Sequence, residues 1–287
     1  MSATQLHAAA RRLPAPVLKI ARPIACALEW LIGGSRLREA LLLRALGFHY
    51  GSRYRRDWGF RAEPPHFYNH RLGIFSFAFG QGIGGPYPYS RAFHAADLLR
   101  LGDRLLDIGC GDGFFTARFF AERCASIEGI DIEPSAIAAA RRDNPHPRVH
   151  YRVMDAVAQP FPSPPYEVVV WDGAVGHFAA ETTNRVLEKV RAALTPDGVF
   201  VGSESLGREG YDHLQFFETT ADLRRLLVPY FRVVQLRTVT YRIGRKGQGL
   251  RTEAFWRCSN ARGRLDAACW LETNVESVLG SEAEGSR

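Results

Sequence analysis

The sequence predicts an α/β protein built on a doubly wound, mostly parallel sheet that ends in an antiparallel hairpin and is preceded by an N-terminal helical extension. From about residue 96, short β-branched runs alternate with segments of helical periodicity, the pattern of a parallel sheet covered on both faces. After residue 230 two strand-like runs follow one another with only the basic, glycine-rich link 243–248 between them, too short for a crossover and therefore antiparallel. A glycine-rich loop, Asp107-Ile108-Gly109-Cys110-Gly111-Asp112-Gly113, joins the first strand of the alternating region to its first helix.

In chain order, residues 1–95 form the extension. Its first half has helical patterns broken by Pro14, Pro16, Pro23 and Gly33-Gly34; its second half is aromatic, histidine-rich and punctuated by glycine and proline, and is read as a lid or substrate-binding segment. Residues 96–260 form the main domain, with strands expected near 104–108, 126–130, 149–154, 167–171, 199–203, 231–241 and 249–257. Helices are expected near 113–122, 134–143, 182–194 and 221–228. In the third of these Val186, Leu187, Val190, Ala193 and Leu194 share one face, and Thr195-Pro196-Asp197-Gly198 supplies a turn. Residues 261–287, rich in Ser, Glu and Gly, read as a flexible tail.

Composition bounds the function. With 287 residues and 46% hydrophobic content, the chain buries a full core. The formal charge of +7 arises entirely in residues 1–60, where ten Lys and Arg face three Asp and Glu. Such a segment suits phosphates, nucleic acid or an anionic membrane surface, or is simply a solvated helix face. Five cysteines without a C-x-x-C pair argue against a disulfide framework or zinc site and place the chain in a reducing cytoplasm. The most apolar stretch, 17–34, is interrupted by Lys19, Arg22, Pro23 and Glu29, so a peripheral membrane contact is expected rather than a spanning helix. An organelle presequence is the further reading of this Arg-rich start.

The glycine loop selects a ligand through its charges. A dinucleotide fingerprint needs glycine at position 114, where Phe114 stands. A pyrophosphate at the helix start would also meet Asp107 and Asp112, and carboxylates there oppose an anion. S-adenosylmethionine, with an ammonium and a sulfonium, suits the same place. The next two strands end in Asp131 and Asp155, able to accept from ribose hydroxyls and from an adenine amine respectively. Singly, either acid also reads as a turn or cap residue.

LLDIGCGDGFF, GIDIEPSAI, VMDAVAQPF, YEVVVWDGAVGHF and LTPDGVFVGSESL together resemble the successive motifs of class I S-adenosylmethionine-dependent methyltransferases. The resemblance covers roughly residues 90–257 and implies a Rossmann-like seven-stranded sheet with a final antiparallel hairpin. It implies that Asp107, Gly109, Cys110, Gly111 and Gly113 hold the methionine part, Asp131 the ribose, and Ile132, Asp155 and Ala156 the adenine, with Asp172 also on the cofactor side.

In this fold the end of the fourth strand faces the methyl group, so Asp172, Gly173, Ala174 and His177 are the first acceptor-side candidates. His177 is the expected base or substrate contact, or else a capping histidine; His213 in YDHLQFF is the second catalytic candidate. Tyr68, His70 and Arg71 are candidate lid contacts. Ser163-Pro164-Pro165-Tyr166 matches a motif of amino-methylating enzymes but precedes the fourth strand instead of following it, and reads as a connection. No histidine–carboxylate cluster has metal-ligand spacing. The expected reaction moves a methyl group to oxygen or nitrogen of a small molecule or a glycan sugar. The alternatives are a nucleic-acid methyltransferase using the basic N-terminus, a nicotinamide-dependent (NAD(P)) oxidoreductase, and a non-catalytic partner keeping the fold.

Overall fold

The computed structural model describes residues 87–208, 213–243, 249–266 and 275–279, together with Leu41, Arg44, Ala45 and Phe48 in helix. The chain divides into two compact units, Met1–Ala62 and Glu63–Arg287; the elements below belong to the second. The aromatic segment with Tyr68, His70 and Arg71, and the basic N-terminal stretch apart from those four residues, lie outside the described residues.

Eight strands form one sheet: β1 (Arg104–Ile108), β2 (Ser126–Asp131), β3 (Val149–Val153), β4 (Tyr166–Asp172), β5 (Leu194–Leu206), β6 (Val233–Ile243), β7 (Gly249–Ser259) and β8 (Val275–Leu279). Their order is β3-β2-β1-β4-β5-β7-β6-β8. Pairing is parallel from β3 to β5 and antiparallel from β5 onward. The doubly wound, Rossmann-like sheet with its terminal hairpin is thus present, with β7 slotted between β5 and β6. The winding reverses between β1 and β4, which leaves a crevice outside their carboxyl ends, where ligands of open α/β sheets bind.

Both sheet faces are buried, as a parallel sheet requires. In β4 the run Val168, Val169, Val170 and Trp171 is at most 2% exposed. Alternate residues go to opposite sides: Val169 and Trp171 pack with Val186, Leu187 and Val190 of α3 (Ala180–Ala193). Val168 and Val170 pack with Ala95 of α1 (Tyr87–Ala96) and Ile137 and Ala140 of α2 (Pro134–Asp143). Burying each such side chain contributes roughly 1.5–3 kcal/mol. The α2 helix starts where a cap permits: Glu133 accepts the Ser135 N–H at 3.0 Å and Pro134 occupies the first turn. A capping box between Thr219 and Asp222 starts α4 (Thr220–Leu227).

Three local expectations change. The segment after the glycine loop is not a regular helix but a π-helical turn, Thr116–Phe120, followed by a 3₁₀ turn, Ala121–Arg123. The widened turn lets Phe114 reach Phe119, five residues on, with ring centroids 6.2 Å apart. Thr195–Gly198 does not separate α3 from β5; it is an irregularity inside β5, between the pairs Tyr166–Leu194 and Val168–Val199. Finally, the sheet has an eighth strand beyond the seven expected. Within the stretch read as a flexible tail, Val275–Leu279 pairs along the outer edge of β6, satisfying a backbone edge that would otherwise be open. Upstream of it, Arg264 of the one-turn α5 (Gly263–Asp266) grips the Asp103 carboxylate with both terminal nitrogens, Nη1 to Oδ1 at 3.0 Å. Polar composition hid a five-residue strand and a single arginine clamp.

Candidate functional site

Gly109, Gly111 and Gly113 all adopt positive φ, at 72°, 55° and 68°. At Gly113 a side chain is excluded twice over, because a Cβ would also lie 2.6 Å from the Tyr151 hydroxyl oxygen. The loop folds over the end of β2: Gly109 and Cys110 donate their N–H groups to Ile130 O at 2.8 and 3.0 Å. Gly111 N–H donates to Asp131 Oδ2 at 2.9 Å, while Glu133 N–H donates to Oδ1, also at 2.9 Å. The Asp131 carboxylate is therefore fixed in orientation by both loops. Burial raises its pKa, opposed by those two backbone donors. Beside it Ile132 is 68% exposed, an aliphatic surface at the strand end with no core to cover it.

Asp107 points inward. It is 6% exposed and its Oδ2 accepts the Thr116 hydroxyl at 2.5 Å. Burial pushes its carboxyl up to about 7, with Asp172 and Asp131 adding to the rise and Thr116 opposing it. Asp112 is a buried turn residue, with Oδ1 accepting Phe114 N–H at 3.2 Å. Cys110 is buried, and desolvation raises its thiol pKa.

At the end of β3, Asp155 Oδ1 accepts Val157 N–H at 2.7 Å and Ala158 N–H at 3.2 Å, so it shapes a turn. Lys189 reaches into that turn from α3, donating to Ala156 O at 2.6 Å and to Gln159 O. Asp155 is only half-buried and Ala156 buried beside it, which leaves a carboxylate edge at the strand end.

At the end of β4, Asp172 is held from two sides. Arg91 of α1 donates from Nε to Oδ2 at 2.8 Å, and Ser203 of β5 donates from Oγ to Oδ1 at 2.5 Å. Gly173 follows with φ 60°, and a Cβ there would fall 1.8 Å from Arg91 Nη2. The backbone continues through a 3₁₀ turn, Val175–His177, whose Gly176 N–H donates to Glu204 Oε2 at 2.8 Å. Sequence reasoning missed Arg91, Ser203 and Glu204. Arg91 sits in SRAFHAA upstream of every family motif, whereas Ser203 and Glu204 lie inside the quoted GSESL, where polar residues in an otherwise apolar buried strand were a signal.

His177 and His213, separate candidates in the sequence, are brought together: their rings meet edge to face with centroids 4.6 Å apart. The contact is built by Gly176 O, which accepts Leu214 N–H at 2.8 Å and Gln215 N–H at 3.1 Å. Leu214 and Phe216 are exposed next to the pair, giving it an apolar rim. Ser163-Pro164-Pro165 precedes β4 and so lies at the opposite end of that strand from Asp172.

A cavity of about 410 Å³ opens elsewhere, along edge strand β3, lined by Arg141, His146, His150 and Arg152 among others. Its cations are engaged: Arg152 with Glu128, His146 with Glu122, and Arg141 with Tyr151 O. Among the described residues no group of His, Cys, Asp and Glu could hold a metal ion, and no helix is long and apolar enough to cross a membrane.

Residues 105–198 match the family model described as a methyltransferase domain. A dTDP-3-amino-3,6-dideoxy-alpha-D-glucopyranose N,N-dimethyltransferase of Streptomyces fradiae is 31% identical over 127 residues, covering 42% of this chain and 48% of that protein. EEF1A lysine methyltransferase 4 of Mus musculus is 28% identical over 119 residues, 37% of this chain and 47% of its own. The chain thus spans about half the length of the curated relatives it matches. Among solved structures, N-methyltransferase NodS from Bradyrhizobium japonicum WM9 in complex with S-adenosyl-L-homocysteine gives a TM-score of 0.48 at 18% identity, over 60% of this chain and 88% of that one.

Proposed function

We propose that this chain, whose residues 105–198 match a methyltransferase domain, is a class I S-adenosylmethionine-dependent methyltransferase that moves a methyl group to oxygen or nitrogen of a small molecule or a glycan sugar. The observation that carries the donor is the Asp131 carboxylate, gripped by Gly111 N–H and Glu133 N–H beside exposed Ile132. A carboxylate has about four acceptor positions, and two backbone donors leave two for a ribose diol. When bound, S-adenosylmethionine supplies a methyl group activated by a sulfonium.

The chain's own residues do the rest. Asp131 orients the ribose, Ile132 and Ala156 pack the adenine, and Asp155 takes its amine. The positive-φ glycines bring backbone close to the amino acid part, where no side chain intervenes. Exclusion of freedom at the acceptor is the larger catalytic effect, worth several kcal/mol. His177 and His213 flank the acceptor side, and an imidazole in its neutral form can take the proton that an attacking hydroxyl, or an amine once its new N–C bond has formed, gives up. The sugar N,N-dimethyltransferase relative supports an amino group on a sugar, and the lysine methyltransferase relative supports a protein amine as the competing acceptor.

The excess of ten Lys and Arg over three Asp and Glu in residues 1–60 favours a second reading, in which that segment holds RNA or an anionic membrane. Five cysteines without a C-x-x-C pair support a cytoplasmic location, and under the second reading the membrane surface is a peripheral contact.

Calorimetric titration with S-adenosylmethionine, S-adenosylhomocysteine and NADH tests the donor; binding of NADH alone overturns it. Transfer of labelled methyl to amino sugars, hydroxylated small molecules, lysine peptides or RNA then separates the acceptors. A steep loss of RNA retention with added salt, accompanied by RNA methylation, moves the assignment to the second reading.

A further inference from the structure

Beneath the acceptor-side turn a single hydroxyl faces two carboxylates. Ser203 Oγ lies 2.5 Å from Asp172 Oδ1 and 3.0 Å from Glu253 Oε1. A serine has one hydrogen to give, so with both acids ionised one carboxylate oxygen would face a hydroxyl lone pair at hydrogen-bond distance. The contact is satisfied at both ends only if a further proton is present, running from Glu253 to Ser203 Oγ and from Ser203 to Asp172. Pairing explains how the groups meet: Ser203 is opposite Phe255, so Glu253, two residues away on β7, lies diagonally on the same face.

We propose that Glu253 is a positioning residue that works as a neutral acid: its carboxyl donates to Ser203 Oγ, Ser203 donates to Asp172, and the turn Gly173–His177 is thereby held in one conformation. The proposal rests on reading that turn as the acceptor side of the methyltransferase. The backbone link is direct, since Gly173 N–H donates to Ser203 O at 2.7 Å. Glu253 is fully buried, and desolvation pushes its carboxyl up to about 7. Of the charged groups around it, Arg91 from α1 and Arg251 on its own strand oppose the rise, while Glu204 of β5 and Asp172 of β4 add to it. The Tyr241 phenol faces it from β6. When Glu253 gives its proton to solvent, Ser203 has one hydrogen for two anions, and the hold on Asp172 weakens.

The test follows the Gly173 amide resonance of the full ¹⁵N-labelled chain, without cofactor, from pH 5.5 to 8.5. In the wild type it should shift with a midpoint near 7. In Glu253→Gln, whose amide can donate to Ser203 at every pH, that shift should vanish. The titration of Asp107 occurs in both proteins and cancels in the comparison. The same shift in Glu253→Gln overturns the proposal. Should that variant fail to fold, Ser203→Ala serves: Glu253, followed by its ¹³C carboxyl signal, should still titrate while Gly173 no longer follows. A wild-type Glu253 carboxyl midpoint near the ordinary 4.5 overturns the proposal by itself. Binding of S-adenosylhomocysteine, measured on the same samples, reports separately on the methyltransferase assignment.

Discussion

The imidazole rings of His177 and His213 meet edge to face, their centroids 4.6 Å apart and their planes at 79°. His177 ends the 3₁₀ turn after β4, and His213 precedes α4. If His177 takes the acceptor proton, His177→Ala should leave S-adenosylhomocysteine affinity within about twofold and cut turnover by roughly 10²–10⁴-fold. Loss of cofactor affinity in that variant would move His177 out of the acceptor role. His213→Ala should cost less, about tenfold, by freeing the His177 ring; steady-state rates with the acceptor found in the methylation screen measure both.

Asp131→Ala removes the acceptor for two backbone donors and, with it, the ribose contact. Cofactor binding should weaken by at least about 100-fold, the scale of two charge-assisted hydrogen bonds at about 1.5–3 kcal/mol each. Calorimetry reads this directly, and retained micromolar affinity would exclude Asp131 as the ribose residue.

Most of the parallel sheet was legible because its strands carry a local signal: β1 matches its expected bounds, and α2 runs from Pro134 to Asp143 as its periodicity and proline indicate. The residues proposed for the cofactor could be nominated for a related reason, since they stand in or just after recognisable strands, Asp107 within β1 and Asp131 at the end of β2. What escaped depends on residues far apart in the chain. Arg91 meets Asp172 across 81 positions and Ser203 meets Glu253 across 50, and nothing local in SRAFHAA or RTEAFW marks a partner. The approach of His213 to His177 likewise depends on one carbonyl, Gly176 O, which no periodicity can reveal.

The share of stability that Asp107 supplies should fall as pH rises toward neutrality. Burial holds the Asp107 carboxyl at about 7 in the folded chain against an ordinary value of 3.8. A raised acid binds its proton more tightly when folded, so its contribution is complete below the unfolded value and is lost as pH rises through about 7. Urea unfolding of wild type and Asp107→Asn from pH 4 to pH 8 should show this loss as their difference, since buried His94, its pKa lowered, changes stability in the opposite direction in both proteins. Asp107→Asn, which keeps an acceptor for Thr116, should flatten part of the slope, by a few kcal/mol at most. An unchanged slope in Asp107→Asn would mean the carboxyl is ionised throughout.

Gly113→Ala should destabilise the domain by about 2–4 kcal/mol, combining left-handed strain with overpacking. The added methyl would meet the Tyr151 ring, whose hydroxyl donates to Gly113 O at 3.1 Å or Asn144 O at 3.0 Å. Tyr151→Leu in the same background should return part of the loss by making room, leaving the φ penalty. Thermal unfolding of the two variants decides it, and no rescue would place the whole cost in the backbone.

Arg91 and Gly173 constrain each other through Asp172. The guanidinium lies so close over Gly173 that a Cβ would fall 1.8 Å from Nη2, and the same side chain pairs with Asp172, the two being 8% and 19% exposed. Removing Arg91 leaves a largely buried carboxylate without its cation, which costs about 3 kcal/mol. Gly173→Ala should produce nearly the same loss by a different route, because the new methyl displaces Arg91. Its residual cost in an Arg91→Ala background should then be only that of holding alanine at φ 60°, about 1–2 kcal/mol. Urea unfolding of the wild type, both single variants and the double variant closes this cycle. Losses that simply add would show that Gly173 and Arg91 act independently and that the glycine is required by the turn alone.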